Sequence, residues 1–127
     1  SIEILPALSE GAREVLLQLG FANVQLKVGD GFFGWREKAP FDAILLTASA
    51  PKVPEPLWQQ LREGGRLIMP LGEEGRAQRL MRFTKTGQTD RRGSYRGAFC
   101  AADGRDSGAG ALSAPVRLLR ASVEGNR

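Results

Sequence analysis

With 127 residues the chain suffices for one domain, and 42% hydrophobic with 25% charged residues describe a folded chain rather than a disordered one. No apolar run approaches the roughly 18 residues of a membrane span, the opening lacks a secretory signal's basic start, and the single Cys100 can close no internal disulfide. Histidine is absent, which excludes Ser-His-Asp triads, Cys-His pairs and histidine-held metals, so any chemistry rests on carboxylates, hydroxyls, backbone groups or a cofactor.

A soluble, cytoplasmic protein is therefore expected, with no metal site, no membrane association and no catalytic side chain evident. The net charge of +4 invites a nucleic-acid reading, but residues 1–86 are nearly balanced at 11 basic and 10 acidic side chains. The excess lies in residues 87–127, with seven arginines against four acids. A strand-binding surface interleaves basic residues with exposed aromatics on a folded platform, and that pattern is missing here. No nucleic-acid partner is expected, and the sequence leaves the oligomeric state open.

Ser1-Ile2-Glu3-Ile4 reads as the end of a strand. Pro6 suits the first turn of a helix whose apolar positions, Leu8, Ala12, Val15, Leu16 and Leu19, recur at helical spacing until Gly20 stops it. Val24, Leu26 and Val28 alternate with polar residues as in a half-buried strand, which ends in Gly29-Asp30-Gly31. A loop through Phe32, Phe33 and Trp35 leads to Asp42–Thr47, whose apolar run suits a parallel strand covered on both faces. A short helix over Glu55–Glu63, a strand over Arg66–Leu71 and an antiparallel return over Gln78–Lys85 follow. This alternation predicts a doubly wound α/β sheet.

The division expected is 1–86 as a partial α/β domain and 87–127 as an irregular Gly/Ala/Arg-rich tail. In that tail only Ala114–Leu119 offers a stretch able to pack, and Cys100 is expected to be inert. A flexible tail and a frame-shifted translation of a GC-rich gene account equally for its composition.

Two acids stand where a doubly wound sheet binds ligands, beyond the carboxyl ends of its strands. Glu3 could accept hydrogen bonds from both ribose hydroxyls of a nucleoside cofactor, or it could simply face a helix dipole. Asp30 could accept from an adenine amino group while Gly29 and Gly31 let the backbone approach the ring, or the tripeptide could be a plain turn. Both acids at consecutive strand ends favour a nucleoside site. Ile4 could lie against one adenine face. Trp58 is expected to pack in the core.

The run VGDGFFGWREKAPFDAILLTASAPKVPEPLWQQLREGGRLIMPLG, Val28 to Gly72, resembles protein-L-isoaspartate (D-aspartate) O-methyltransferases. The resemblance lies in a GDG turn, a Gly-Trp pair, an FDAI strand, a TAxAP-like loop, VP before a short helix, and GGRL leading to a proline-containing strand. It covers roughly residues 1–87.

The resemblance implies a class I S-adenosylmethionine-dependent methyltransferase fold and methylation of the free carboxylate of L-isoaspartyl residues in damaged proteins, the first step of their repair. It implies S-adenosyl-L-methionine as cofactor, with Glu3 on the ribose and Ile4, Asp30 and Gly31 framing the adenine. Isoaspartyl-containing proteins and peptides would be the substrates. It also implies that the chain lacks the family's N-terminal part, including the glycine-rich loop and the first strand.

That strand belongs in the middle of the sheet, so two inner edges are expected to be left unpaired. They would have to collapse together, pair with another chain or stay solvated. Little or no activity is expected of such a fragment alone. The alternatives are a nicotinamide-dependent Rossmann oxidoreductase fragment and a noncatalytic fragment of a truncated or frame-shifted gene.

Overall fold

A computed structural model describes residues 1–73, 75–86 and 118–121. The strands are β1 (Ile2–Glu3), β2 (Lys27–Val28), β3 (Phe41–Leu46), β4 (Leu61–Leu71), β5 (Arg79–Thr84) and β6 (Leu118–Ala121). Helix α1 spans Pro6–Gln18 and α2 spans Glu55–Gln59. One six-stranded sheet runs in the order β2-β1-β6-β3-β4-β5, with β5 antiparallel to β4 and every other pair parallel.

The order carries its own handedness argument. The β1-α1-β2 unit steps outward to one side of the sheet, and β3-α2-β4 steps to the other. Right-handed crossovers in opposite directions place their helices on opposite faces. The fold is thus the expected α/β doubly wound sheet, and its switch point lies between β1 and β3.

Helix α1 begins with Pro6 in its first turn. It ends in a Schellman motif: Gly20 at φ +75° and Phe21 donate to the carbonyls of Leu17 and Leu16 at 3.1 and 2.9 Å. The apolar stripe read from the sequence does not meet the sheet. Leu8, Val15 and Leu19 are exposed, while Ser9 is buried and Leu16 half-buried. Periodicity sets the width of an apolar stripe but not which neighbour it meets.

The core lies on the opposite face. Ile2, Ile44, Leu46, Leu67, Met69, Leu119 and Ala121 from four strands form one buried cluster with Leu57 and Trp58 of α2. Ala43 and Leu45, on the α1 side of β3, are only half-buried, so the strand expected to be covered on both faces is fully covered on one.

Helix α2 is shorter than its sequence pattern suggests. The Gln60 carbonyl accepts the Phe41 amide at 2.8 Å, and Leu61 pairs with Phe41, so strand pairing ends the helix at Gln59. Lys85 then satisfies the carbonyls left at that end: Nζ donates to Leu61 at 2.7 Å, Trp58 at 3.1 Å and Gln59 at 3.5 Å. Lys85→Met keeps the stem but removes these charged donors. It is expected to lower unfolding stability by about 1.5–3 kcal/mol, read from urea midpoints. An unchanged midpoint would mean that water serves those carbonyls equally well.

The inner edges expected to be unpaired are not left so. Strand β6 fills the place between them, pairing Ile2 with Ala121 on one side and Ala43–Leu46 with Leu118–Ala121 on the other. The outcome is a fourth one, a segment of the same chain, and it has a simple cause. Unpaired backbone in the middle of a sheet is costly, and any tethered extended segment of suitable side chains can relieve it. Of the segment 87–127 only β6 is described. Cys100 and Ala114–Arg117 lie outside the described residues.

Candidate nucleoside site

The short strands β1 and β2 end together. Their pairing sets Glu3 beside Val28, and the Gly29 amide donates to the Glu3 carbonyl at 3.0 Å. One backbone bond therefore links the two strand ends, and Glu3, Ile4, Asp30 and Gly31 share one edge of the sheet. That edge is the carboxyl end of the parallel strands, next to the switch point, where ligands bind in this architecture.

Each acid accepts a backbone amide of its own loop. Glu3 Oε1 accepts the Leu5 amide at 3.1 Å, just ahead of α1. Asp30 Oδ1 accepts the Phe32 amide at 2.8 Å and caps the single 3-10 turn Gly31–Phe33. A bond to one oxygen of a carboxylate does not exclude a ligand bond, so the structural and ligand readings of these acids are compatible. Both acids and Ile4 are half-buried, and Gly31 is buried where a side chain would thicken the loop. Two carboxylate acceptors at adjoining strand ends, with glycine backbone between and beside them, can accept from a vicinal diol and from an amine on a flat ring.

A residue without any local sequence signal holds this edge in place. Gln60, buried at the end of α2, accepts the Trp35 amide through Oε1 at 2.7 Å and donates from Nε2 to the Phe33 carbonyl at 2.8 Å. These bonds clamp both sides of Gly34, which sits at φ +66°. The loop from Asp30 to Trp35 is thus pinned to the helix on the core face. Nothing in periodicity or charge distinguishes Gln60 from Gln59; only its burial against the loop does.

At the neighbouring strand end, the Thr47 amide and hydroxyl both approach the Ala121 carbonyl, at 3.1 and 3.4 Å. This fixes the end of β6 level with β1 and β3. Among the described residues no group of three or more His, Cys, Asp or Glu side chains gathers to hold a metal ion. No helix among them is long and apolar enough to cross a membrane.

The family model for protein-L-isoaspartate(D-aspartate) O-methyltransferases matches residues 1–100. The chain belongs to this methyltransferase family. Among curated relatives, the Syntrophus aciditrophicus protein-L-isoaspartate O-methyltransferase is 54% identical over 72 residues, which are 57% of this chain and 33% of that protein. The Myxococcus xanthus enzyme of the same name is 51% identical over 85 residues, 67% of this chain and 40% of that one. A solved protein-L-isoaspartate O-methyltransferase superposes with a TM-score of 0.64 at 36% identity, covering 68% of this chain and 28% of its own. A Plasmodium falciparum structure assigned to the same methyltransferases, in complex with S-adenosyl-L-homocysteine, gives a TM-score of 0.57 at 29% identity over 66% of this chain and 42% of its own.

The chain thus spans between a third and two-fifths of the length of these curated relatives. Its sheet is the class I methyltransferase sheet of the family, with the middle position taken by a C-terminal strand.

Proposed function

We propose that this chain carries the nucleoside-binding half of an S-adenosylmethionine-dependent methyltransferase acting on the free carboxylate of L-isoaspartyl residues in damaged proteins and peptides. The observation that carries the reading is the placement of Glu3 and Asp30 at adjoining strand ends, tied by the bond from the Gly29 amide to the Glu3 carbonyl. The bound S-adenosyl-L-homocysteine of the Plasmodium falciparum relative supports the choice of ligand class. The nicotinamide reading gains nothing from these relatives.

In this reading Glu3 accepts hydrogen bonds from the two ribose hydroxyls. Asp30 accepts from the adenine amino group, Gly31 lets the backbone lie close to the ring, and Ile4 covers one of its faces. S-adenosylmethionine supplies, when bound, a methyl group on a sulfonium that a nucleophile can displace. The substrate carboxylate is already ionised at neutral pH, so the chain needs no general base, in keeping with a sequence without histidine. What the protein contributes is alignment and exclusion of water.

Calorimetric titration of the full chain with S-adenosyl-L-homocysteine, with circular dichroism to report folding, tests the ligand assignment. Saturable binding is expected, together with little or no methyl transfer to an isoaspartyl peptide by this chain alone. A folded chain that binds a nicotinamide dinucleotide in preference to S-adenosyl-L-homocysteine would overturn the reading.

A further inference from the structure

Asp30 sits on a loop that is held on both sides. On the strand side the Gly29 amide donates to the Glu3 carbonyl at 3.0 Å, an anchor shared with the other acid. On the far side Gln60 donates to the Phe33 carbonyl at 2.8 Å and accepts the Trp35 amide at 2.7 Å. Between these anchors lies the 3-10 turn Gly31–Phe33, capped by the Asp30 carboxylate and closed by the Gly34 amide on the Gly31 carbonyl at 3.1 Å. A turn of three residues is only about 6 Å long, so a shift at its far end is passed to its cap.

Gln60 is itself firmly placed. It is buried at the end of α2, its amide donates to the Pro56 carbonyl at 3.3 Å and its carbonyl accepts the Phe41 amide at 2.8 Å, so its backbone belongs to helix and sheet together. Its carboxamide lies directly on Gly34, too close for any side chain there.

We propose that Gln60 is a positioning residue for recognition of the adenine amino group. Acting from the core face through the Asp30–Trp35 loop, it sets where the Asp30 carboxylate stands relative to Glu3. This role presupposes the proposed bond from the adenine amino group to Asp30. Glu3 lies on β1 and outside the loop, so loss of the clamp misplaces the adenine acceptor and leaves the ribose acceptor where it is. Hydrogen bonds weaken steeply with misalignment, so a small displacement of Asp30 is enough. Gln60 therefore governs selectivity for the base rather than affinity for the nucleoside as a whole.

The test is calorimetric titration of the full chain with S-adenosyl-L-homocysteine and with its analogue carrying hydrogen in place of the adenine amino group. The unmodified chain is expected to prefer the amine by at least about ten-fold, the worth of a hydrogen bond to a charged acceptor. Gln60→Leu is expected to cut that preference below about three-fold while binding the analogue within about three-fold of the unmodified chain, because only the Asp30 bond is misaligned. A merely structural role weakens both ligands alike. A folded Gln60→Leu that keeps the full preference, or loses affinity for both ligands equally, overturns the positioning role and leaves the nucleoside reading standing. An unmodified chain without any preference refutes the assignment of Asp30, and the role of Gln60 with it.

The unmodified chain also carries a test that needs no variant. If the clamp strengthens the bond to the amino group, the amino group must strengthen the clamp by the same factor. The Trp35 amide is expected to exchange with deuterium at least about three-fold more slowly in the chain saturated with S-adenosyl-L-homocysteine than with the analogue. Equal exchange rates overturn the proposal.

Discussion

Gly34→Val is expected to lower unfolding stability by roughly 3–5 kcal/mol, adding about 1–2 kcal/mol for a left-handed backbone to the cost of a core collision and lost hydrogen bonds. Gly34 is buried at φ +66°, and a Cβ there would run into the Gln60 carboxamide, within 2.8 Å of its carbon and nitrogen. Gln60 cannot simply swing away, because the same carboxamide holds the Trp35 amide and the Phe33 carbonyl. At about 4–8 °C per kcal/mol for a domain of 60–100 residues, the midpoint should fall by at least ~12 °C in a thermal melt.

Gln60→Leu separates the two contributions. It keeps the bulk but orphans a donor and an acceptor, and should cost about 2–4 kcal/mol. Combining Gly34→Val with Gln60→Ala removes the collision, so the pair should cost measurably less than the sum of the two single changes. Strict additivity would mean that the loop is not held through Gln60.

Glu3→Gln should weaken S-adenosyl-L-homocysteine binding about 10- to 100-fold while leaving the chain folded, since hydrogen bonds to a charged acceptor contribute roughly 1.5–3 kcal/mol. The split between the two readouts distinguishes the proposed ribose role from a structural one. A glutamine Oε1 can still accept the Leu5 amide ahead of α1, so the local bond survives the change. What the carboxamide loses is the charge and the capacity to accept from two hydroxyls at once. Calorimetry on the folded variant reads the affinity, and urea unfolding reads the stability. Loss of stability with unchanged affinity would assign Glu3 to the helix start instead. Asp30→Asn should behave alike at the adenine end, because an asparagine Oδ1 can still cap the turn through Phe32.

Much of the candidate site's placement was legible because its determinants are local. Gly29-Asp30-Gly31 signals a strand end by composition alone, and Pro6 and Gly20 bracket α1 through backbone geometry. Once alternating strands and helices imply a parallel sheet, Glu3 and Asp30 must fall on one edge, since parallel strands end on the same side. The match between the Val28–Gly72 run and the family follows from the same local order of turns and strands.

Tertiary structure decided what depends on distant partners. The apolar stripe of α1 was read correctly as a helix face, but Leu8, Val15 and Leu19 point outward, because orientation follows from what the helix meets. Helix α2 stopped at Gln59 because Leu61 found a partner in Phe41, twenty residues earlier in the chain. Gln60 became the clamp of the Asp30–Trp35 loop through its bonds to residues 33 and 35. Strand β6 shows the division most clearly. Leu118–Ala121 carries no strand signal longer than its four residues, yet it occupies the middle of the sheet. Its partners on β1 and β3 lie far away in the chain: in a sheet the hydrogen-bonding partners are on other strands, and only the assembled fold says which strands those are.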